Sequence, residues 1–258
     1  MLYFGICLKL VHDWYVLPDF SHGFIVVLFG AYLVWTKRAS LLKEPSRPSW
    51  VGFALILPGL LLLVLGVLGA ELYLARISGL FLLLGTAWIV LGTSAARQLI
   101  PICALLLLAI PIPQVVFFQL TFPLQHLAAS LATLLLQLCG VPVLQEGNLI
   151  HLPSITLEVA EACSGIRSLF SLCTVAVLYG YFADKKMSHR VLLVLASIPV
   201  AVVANALRIF GTGLLVHYRG TEVALGFLHE FSGLLVFVFA VVALMAIHVL
   251  LRRMWCPQ

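Results

Sequence analysis

Three side chains in this sequence carry chemistry that an apolar chain has little other reason to keep: Cys163, Arg208 and His229. Cys163 sits in the run Glu161-Ala162-Cys163-Ser164-Gly165-Ile166-Arg167-Ser168, immediately before a long apolar stretch, which predicts a position at or just before a helix N-terminus. Unpaired backbone N–H groups and the positive end of the helix dipole favour thiolate there, and Arg167, one turn on, adds a cation. Ser164 and Gly165 are small enough for a substrate backbone to approach closely. The plainer alternative is an inert buried thiol that packs as a small hydrophobe. Arg208 stands in Asn205-Ala206-Leu207-Arg208-Ile209, inside an otherwise apolar stretch from Val191 to Val216. A guanidinium at membrane depth costs several kcal/mol unless it is paired or faces a wet cavity, so it marks either function or a structural ion pair. Asn205 shares its helix face, and Gly211 and Gly213 predict that the helix ends close by. His229-Glu230 precedes the last apolar run, where an imidazole can exchange protons at ordinary pH or serve only as an amphipathic boundary residue. Together they form an acyl-transfer set: Cys163 as nucleophile, His229 as acid and base, Arg208 as stabiliser of an oxyanion.

Secondary candidates surround this set. Asp19-Phe20-Ser21-His22-Gly23 opens an apolar run, so Ser21 and His22 either line a site or cap a helix. His126 and His151 have no metal-ligand spacing, and the six cysteines follow no C-x-x-C pattern, so neither a metal nor a disulfide framework is expected. No phosphate loop, dinucleotide fingerprint or zinc-protease signature occurs, and no cofactor is implied.

The elements that must position these groups follow from composition. With 63% hydrophobic and 10% charged residues in 258, and a mean hydropathy of +1.15, the expected solvent is the bilayer. Nucleic acid is excluded as a partner: the net charge of +5 resides in short clusters between apolar runs, not along a stripe. No cleavable signal peptide is evident at the N-terminus. Runs of about 20 apolar residues predict spans near 21–36, 51–69, 75–93, 98–119, 164–182, 191–210 and 232–251. Residues 2–17 suit an interfacial helix or a shortened span, and 123–139 suits a non-crossing helix in the interface or packed within the bundle. Pro111-Ile112-Pro113 kinks or ends the fourth span. Ten of the fifteen basic residues, Lys37, Arg38, Lys43, Arg47, Arg97, Lys185, Lys186, Arg190, Arg252 and Arg253, fall on one side, which the positive-inside rule makes cytoplasmic. Cys163, Arg208 and His229 then share the outer face. Between them and the fourth span, 140–160 reads as a small extracytoplasmic hairpin. Its turn is Glu146-Gly147-Asn148, and Ile155, Leu157 and Val159 alternate with polar or small neighbours. The expected fold is an all-α polytopic membrane protein of about seven to eight transmembrane helices plus this hairpin. It forms a single integral membrane domain over 1–258, with an extracytoplasmic insertion at approximately 121–162.

At these residues the sequence resembles the exosortase/archaeosortase family of polytopic membrane cysteine enzymes. The run 161–168 looks like the family's cysteine motif, Asn205 to Ile209 like its arginine motif, and His229 falls where its histidine is expected. Ser21-His22-Gly23 and Pro111-Ile112-Pro113 look like recurrent family features, and the likeness extends from about residue 19 to residue 251. The resemblance implies a cysteine protease or transpeptidase of the bacterial inner membrane with its active site facing the periplasm. It implies a substrate too: an exported protein bearing a C-terminal tripartite signal (a short motif such as Pro-Glu-Pro, one transmembrane helix, a basic tail). Cleavage through a thioester would be followed by transfer to a surface lipid or polysaccharide acceptor. Carried over by position, Cys163, Arg208 and His229 are catalytic, with Glu161, Ser164, Gly165, Arg167, Asn205, Ser21 and His22 supporting them. The competing readings are a transporter or channel, in which Arg208 and His229 line a polar path, and a non-catalytic membrane subunit of exopolysaccharide assembly.

Overall fold

A computed structural model describes residues 3–43, 49–159, 165–220 and 227–255. The chain forms two compact units, Met1–Pro113 and Gln114–Gln258.

The first unit holds α1 (Phe4–Val16), α2 (Gly23–Lys43), α3 (Phe53–Leu68) and α4 (Leu72–Leu106). Although its hydrogen bonding is nearly continuous, α4 is two arms. Asp13 and Trp14 are neighbours on α1, yet Asp13 pairs with Arg76 at 2.5 Å and Trp14 Nε1 donates to Ala109 O at 2.6 Å. A straight helix would hold positions 76 and 109 about 50 Å apart. The chain therefore doubles back at Gly92, whose φ of 83° and ψ of 178° only glycine adopts without strain. Each arm has its own partner. Residues 72–91 run antiparallel to α3 along a glycine seam, Gly52 on Gly85, Gly59 on Phe81 and Gly66 on Ala75, where an added Cβ would lie 2.4–3.0 Å from the facing atoms. Small residues at such a seam let backbones close without a hydrophobic driving force between them. The second arm runs antiparallel to α2, with Gly30 against Ile102 and Leu106 and Ser40 Oγ donating to Gln98 Oε1 at 3.0 Å. Helix α1 lies across the first arm: Tyr3 and Asp13, ten residues apart on α1, reach Ser78 and Arg76, only two apart on α4.

The second unit comprises α5 (Gln114–Leu138), strands β1 (Leu144–Glu146), β2 (Leu149–His151) and β3 (Thr156–Glu158), and helices α6 (Gly165–Ala183), α7 (Met187–Arg219) and α8 (Phe227–Trp255). Helices α6 and α7 form an antiparallel hairpin in which a Cβ built on Gly180 would stand 3.6 Å from Arg190 Cα. Helix α5 runs beside α7 in the same direction, since Gln125 shares a small cavity with Asn205 and Leu136 packs on Gly213. The strands form an antiparallel sheet in the order β1-β2-β3, with Gln145 opposite Ile150 and Ile150 opposite Leu157. Gly147, at φ 63°, makes the first turn. Ile150, Leu157 and Val159 share a core with Ala128, Ala129, Ala132 and Leu136 of α5 and with Ala206, Ile209 and Val216 of α7.

Among the described residues, six helices are long and apolar enough to cross a bilayer, α4 counted once. Counting its arms separately and adding the shorter α6 gives eight, in line with the seven to eight expected, but α5 is one of the six, where 123–139 was expected not to cross. Three boundaries differ from the sequence expectation. The run 98–119 is not one span: the chain leaves helix at Ile110 and α5 begins at Gln114, because Pro111 and Pro113 bring no N–H to the ladder. Helix α7 does not end near Arg208 but continues eleven residues to Arg219. Gly213, read as a terminator, instead makes room for Leu136, 2.9 Å from where its Cβ would stand. The hairpin has gained a third strand.

Replacing Gly92 by Ala forces a side chain into a glycine-only conformation, and should lower the unfolding free energy of the purified protein by about 1–3 kcal/mol. Gly211→Ala, in a helix with nothing within 4 Å of the added methyl, should be neutral or stabilising by about 0.5–1 kcal/mol. Thermal unfolding of the two variants in one detergent measures the difference.

Candidate active site

Arg208 is the best defined member of the set. It lies 21 residues after Met187 on α7, about 32 Å along the helix, which is one hydrocarbon thickness from the end bearing Lys185 and Lys186. The side chain is half-buried. Its guanidinium rests on Gly233 of α8: a Cβ built there would stand 3.3 Å from Cζ and Nη2 and 3.5 Å from Nη1. With no Cβ at this position, the guanidinium comes close to the neighbouring backbone. Position 229 precedes Gly233 by four residues, one turn, so it occupies the same face of α8.

The start of α6 reaches the same level. Leu169 of α6 and Asn205 of α7 border one cavity of about 20 Å³, together with Thr121, Leu124 and Gln125 of α5. Gly165 is one turn before Leu169, and Arg208 nearly one turn after Asn205, so the antiparallel pairing sets the first turn of α6 beside Arg208. Arg167 belongs to that first turn. Asn205 is buried. Glu161, Cys163 and Ser164 lie outside the described residues, as do the side chains at 167 and 229. In the sequence Cys163 stands five residues beyond the end of β3 and two before α6.

The sheet above this level is fastened to α5. His126 Nδ1 meets Gly147 O at 2.9 Å, and Gln145 Nε2 donates to Ser130 Oγ at 3.1 Å and to Gly147 O at 2.8 Å. His151 bridges all three strands, with Nδ1 2.9 Å from Thr156 Oγ1 and Nε2 3.4 Å from Glu146 Oε2. Both histidines therefore build the sheet. Among the described residues, no group of His, Cys, Asp and Glu is arranged to hold a metal ion. Ser21 and His22 lie in the first unit and bond within it. Ser21 Oγ donates to Pro18 O at 3.0 Å, and buried His22 meets Leu108 O through Nε2 at 3.0 Å.

One polar cluster escaped the sequence reading. At the opposite end of the second unit, Asp184 Oδ2 accepts from His189 Nδ1 at 2.6 Å and from His248 Nε2 at 3.2 Å, and Tyr179 O–H donates to His248 Nδ1 at 2.9 Å. His189 and His248 are buried. The backbone N–H of Lys186 holds the Asp184 carboxyl well below the usual carboxylate range; partial burial opposes this, and the two histidines reinforce it. The cluster ties the α6–α7 turn to α8. With Gly233 seated on Arg208 at the far end, α8 is held at two points fifteen residues apart. No motif announces such a cluster, because its members lie 5 and 64 residues from Asp184.

A lowered carboxyl pKa stabilises the fold above the unfolded value of about 3.9 and ceases to do so as pH falls toward the folded value. The thermal midpoint of the wild type should therefore exceed that of Asp184→Asn at pH 7. The gap should narrow as pH is taken from about 5 to about 3. A gap that is constant or widens on acidification would contradict this assignment.

Among known families, the model described as "Transmembrane exosortase (Exosortase_EpsH)" matches residues 14–246. No curated protein and no solved structure matches the sequence.

Proposed function

Because the chain belongs to the transmembrane exosortase family, we propose that it is a membrane-embedded cysteine protease or transpeptidase that processes exported proteins carrying a C-terminal sorting signal. The observation that supports this most directly is the meeting of three elements at one level: the start of α6, Arg208, and the face of α8 shared by Gly233 and position 229. Lys185, Lys186, Arg252 and Arg253 mark the other end of the same helices. By the positive-inside rule that end is cytoplasmic and the site faces the periplasm across the inner membrane.

In the proposed reaction the Cys163 thiolate attacks the scissile carbonyl, and the carbonyl electrons move onto oxygen. Arg208 opposes that oxyanion from the edge of the hydrocarbon layer, where a fixed cation acts more strongly than in water. Collapse of the adduct breaks the C–N bond, and His229 gives its proton to the departing amine, leaving a thioester on Cys163. His229 then takes a proton from the second nucleophile, water or a hydroxyl or amine of a surface acceptor, which attacks the thioester and releases the thiolate. Glu161, Ser164, Gly165, Arg167 and Asn205 shape the turn and helix contacts around this centre. The substrate's own transmembrane helix enters laterally, bringing its cleavage motif to the interface.

Cys163→Ala and Cys163→Ser should abolish processing of a co-expressed reporter bearing a Pro-Glu-Pro motif, a transmembrane helix and a basic tail, as read by its shift on a gel. Undiminished cleavage in either variant sinks the proposal. Arg208→Lys keeps a charge but loses the planar donor fork, and should reduce kcat by about 10²–10³-fold if it serves the oxyanion. Gly233→Val, whose side chain crowds the guanidinium, should lower kcat in the same sense.

A further inference from the structure

The outer edge of β3 is a strand edge placed a few residues before Cys163. Val159 N donates to Asn148 O at 3.0 Å, and Leu152 N donates to Ile155 O at 2.9 Å. In the observed register these fix the bonded pairs as 148 with 159, 150 with 157 and 152 with 155. Antiparallel ladders alternate bonded and non-bonded pairs. Leu157 and Val159 therefore turn their N–H and C=O toward β2, while Thr156 and Glu158 turn theirs the other way.

That edge is accessible. Thr156 is exposed and Glu158 half-exposed, while Leu157 and Val159 are buried beneath them. The sheet order ends at β3, and no other strand pairs with it among the described residues. The strand is also braced from behind. Its register on β2 is held by the His151–Thr156 bond, β2 by β1, and the β1–β2 turn by His126 and Ser130 of α5. The strand is short and ends in a glutamate, the usual guard against uncontrolled edge pairing. It offers two donors and two acceptors, enough for one short peptide segment. The four residues after Glu158 lead directly to Cys163.

We propose that the outer edge of β3 receives the cleavage segment of the substrate as an added strand, main chain to main chain, through the outward N–H and C=O groups of Thr156 and Glu158. This rests on the proteolytic reading above and deepens it by naming how the scissile segment is held. Extended binding presents each peptide bond at full length, and in the sequence the strand ends five residues before Cys163. Recognition through the backbone leaves side-chain choice to alternate positions.

Two measurements test it. In the enzyme, Thr156→Pro and Glu158→Pro each remove an outward N–H group, a change that edge strands tolerate; Thr156→Pro also loses the hydroxyl bonded to His151, a loss that Thr156→Val shares. Each should raise KM for the sorting-signal reporter about 3–10-fold, the worth of one main-chain hydrogen bond, and Thr156→Pro should exceed Thr156→Val, which keeps the N–H. In the substrate, a synthetic sorting-signal peptide is made with single ester-for-amide replacements along the six residues before its transmembrane helix. Wild-type enzyme should lose kcat/KM at every second position, because only alternate N–H groups of an added strand face β3. A flat scan, or losses at consecutive positions, overturns the inference even if the proline variants are too unstable to assay. If the scan is flat while Cys163→Ala is inactive, edge binding fails and the proteolytic reading stands. Processing that survives Cys163→Ala removes both.

Discussion

A guanidinium at the edge of a hydrocarbon layer is the constraint around which the second unit is organised. Water solvates an arginine from all sides, whereas here the neighbouring backbone takes part of that role. Gly233 is the accommodation: with no Cβ, α8 approaches until the guanidinium lies against its backbone. The contact also sets the height of α8. A helix lodged on Arg208 near one end and on Asp184 through His248 near the other has little freedom to slide, so position 229 is set relative to Arg208 by contacts that do not involve it.

The first unit solves its packing differently. Lipid tails are as apolar as leucine, so helices there gain little from hiding hydrophobic surface and must gain from closeness. The seam of Gly52, Gly59 and Gly66 on the first arm of α4, and Gly30 on the second, provides that closeness. Arg76, nearly enclosed, is matched by Asp13 of the crosswise α1. That ion pair anchors α1, and Trp14 bonds the carbonyl that the ending second arm leaves at Ala109. Within this unit the irregular point at Gly92 is where the chain doubles back.

Much of this was legible because it is written in hydropathy and charge. The spans, the basic clusters at their ends, the membrane-depth arginine and the Glu146-Gly147-Asn148 turn all follow from periods and local propensities. What was not legible depends on partners distant in sequence. Gly213 signals a helix end by every local rule, and only Leu136 of α5 turns it into a packing site inside a helix of 33 residues. Asp184, His189 and His248 look like unrelated boundary residues until α8 folds back on the α6–α7 turn. Likewise, the sheet-building roles of His126 and His151 emerge only when Gly147 and Thr156 are brought to their nitrogens.

The continuation of α7 beyond Arg208 changes how the site is to be understood. Had the helix stopped there, Arg208 would stand at a frayed terminus, with the strands attached by a loop. Instead the same rigid rod that carries Arg208 runs on to Arg219, and Ile209 and Val216 form part of the core on which Leu157 and Val159 rest. The arginine and the strand leading to Cys163 are thus referenced to one helix, while α8, which carries position 229, is referenced to that helix through Gly233. A chemistry that needs three groups from three distant stretches of chain is best served when each is registered against a common element. In the second unit, α7 is that element.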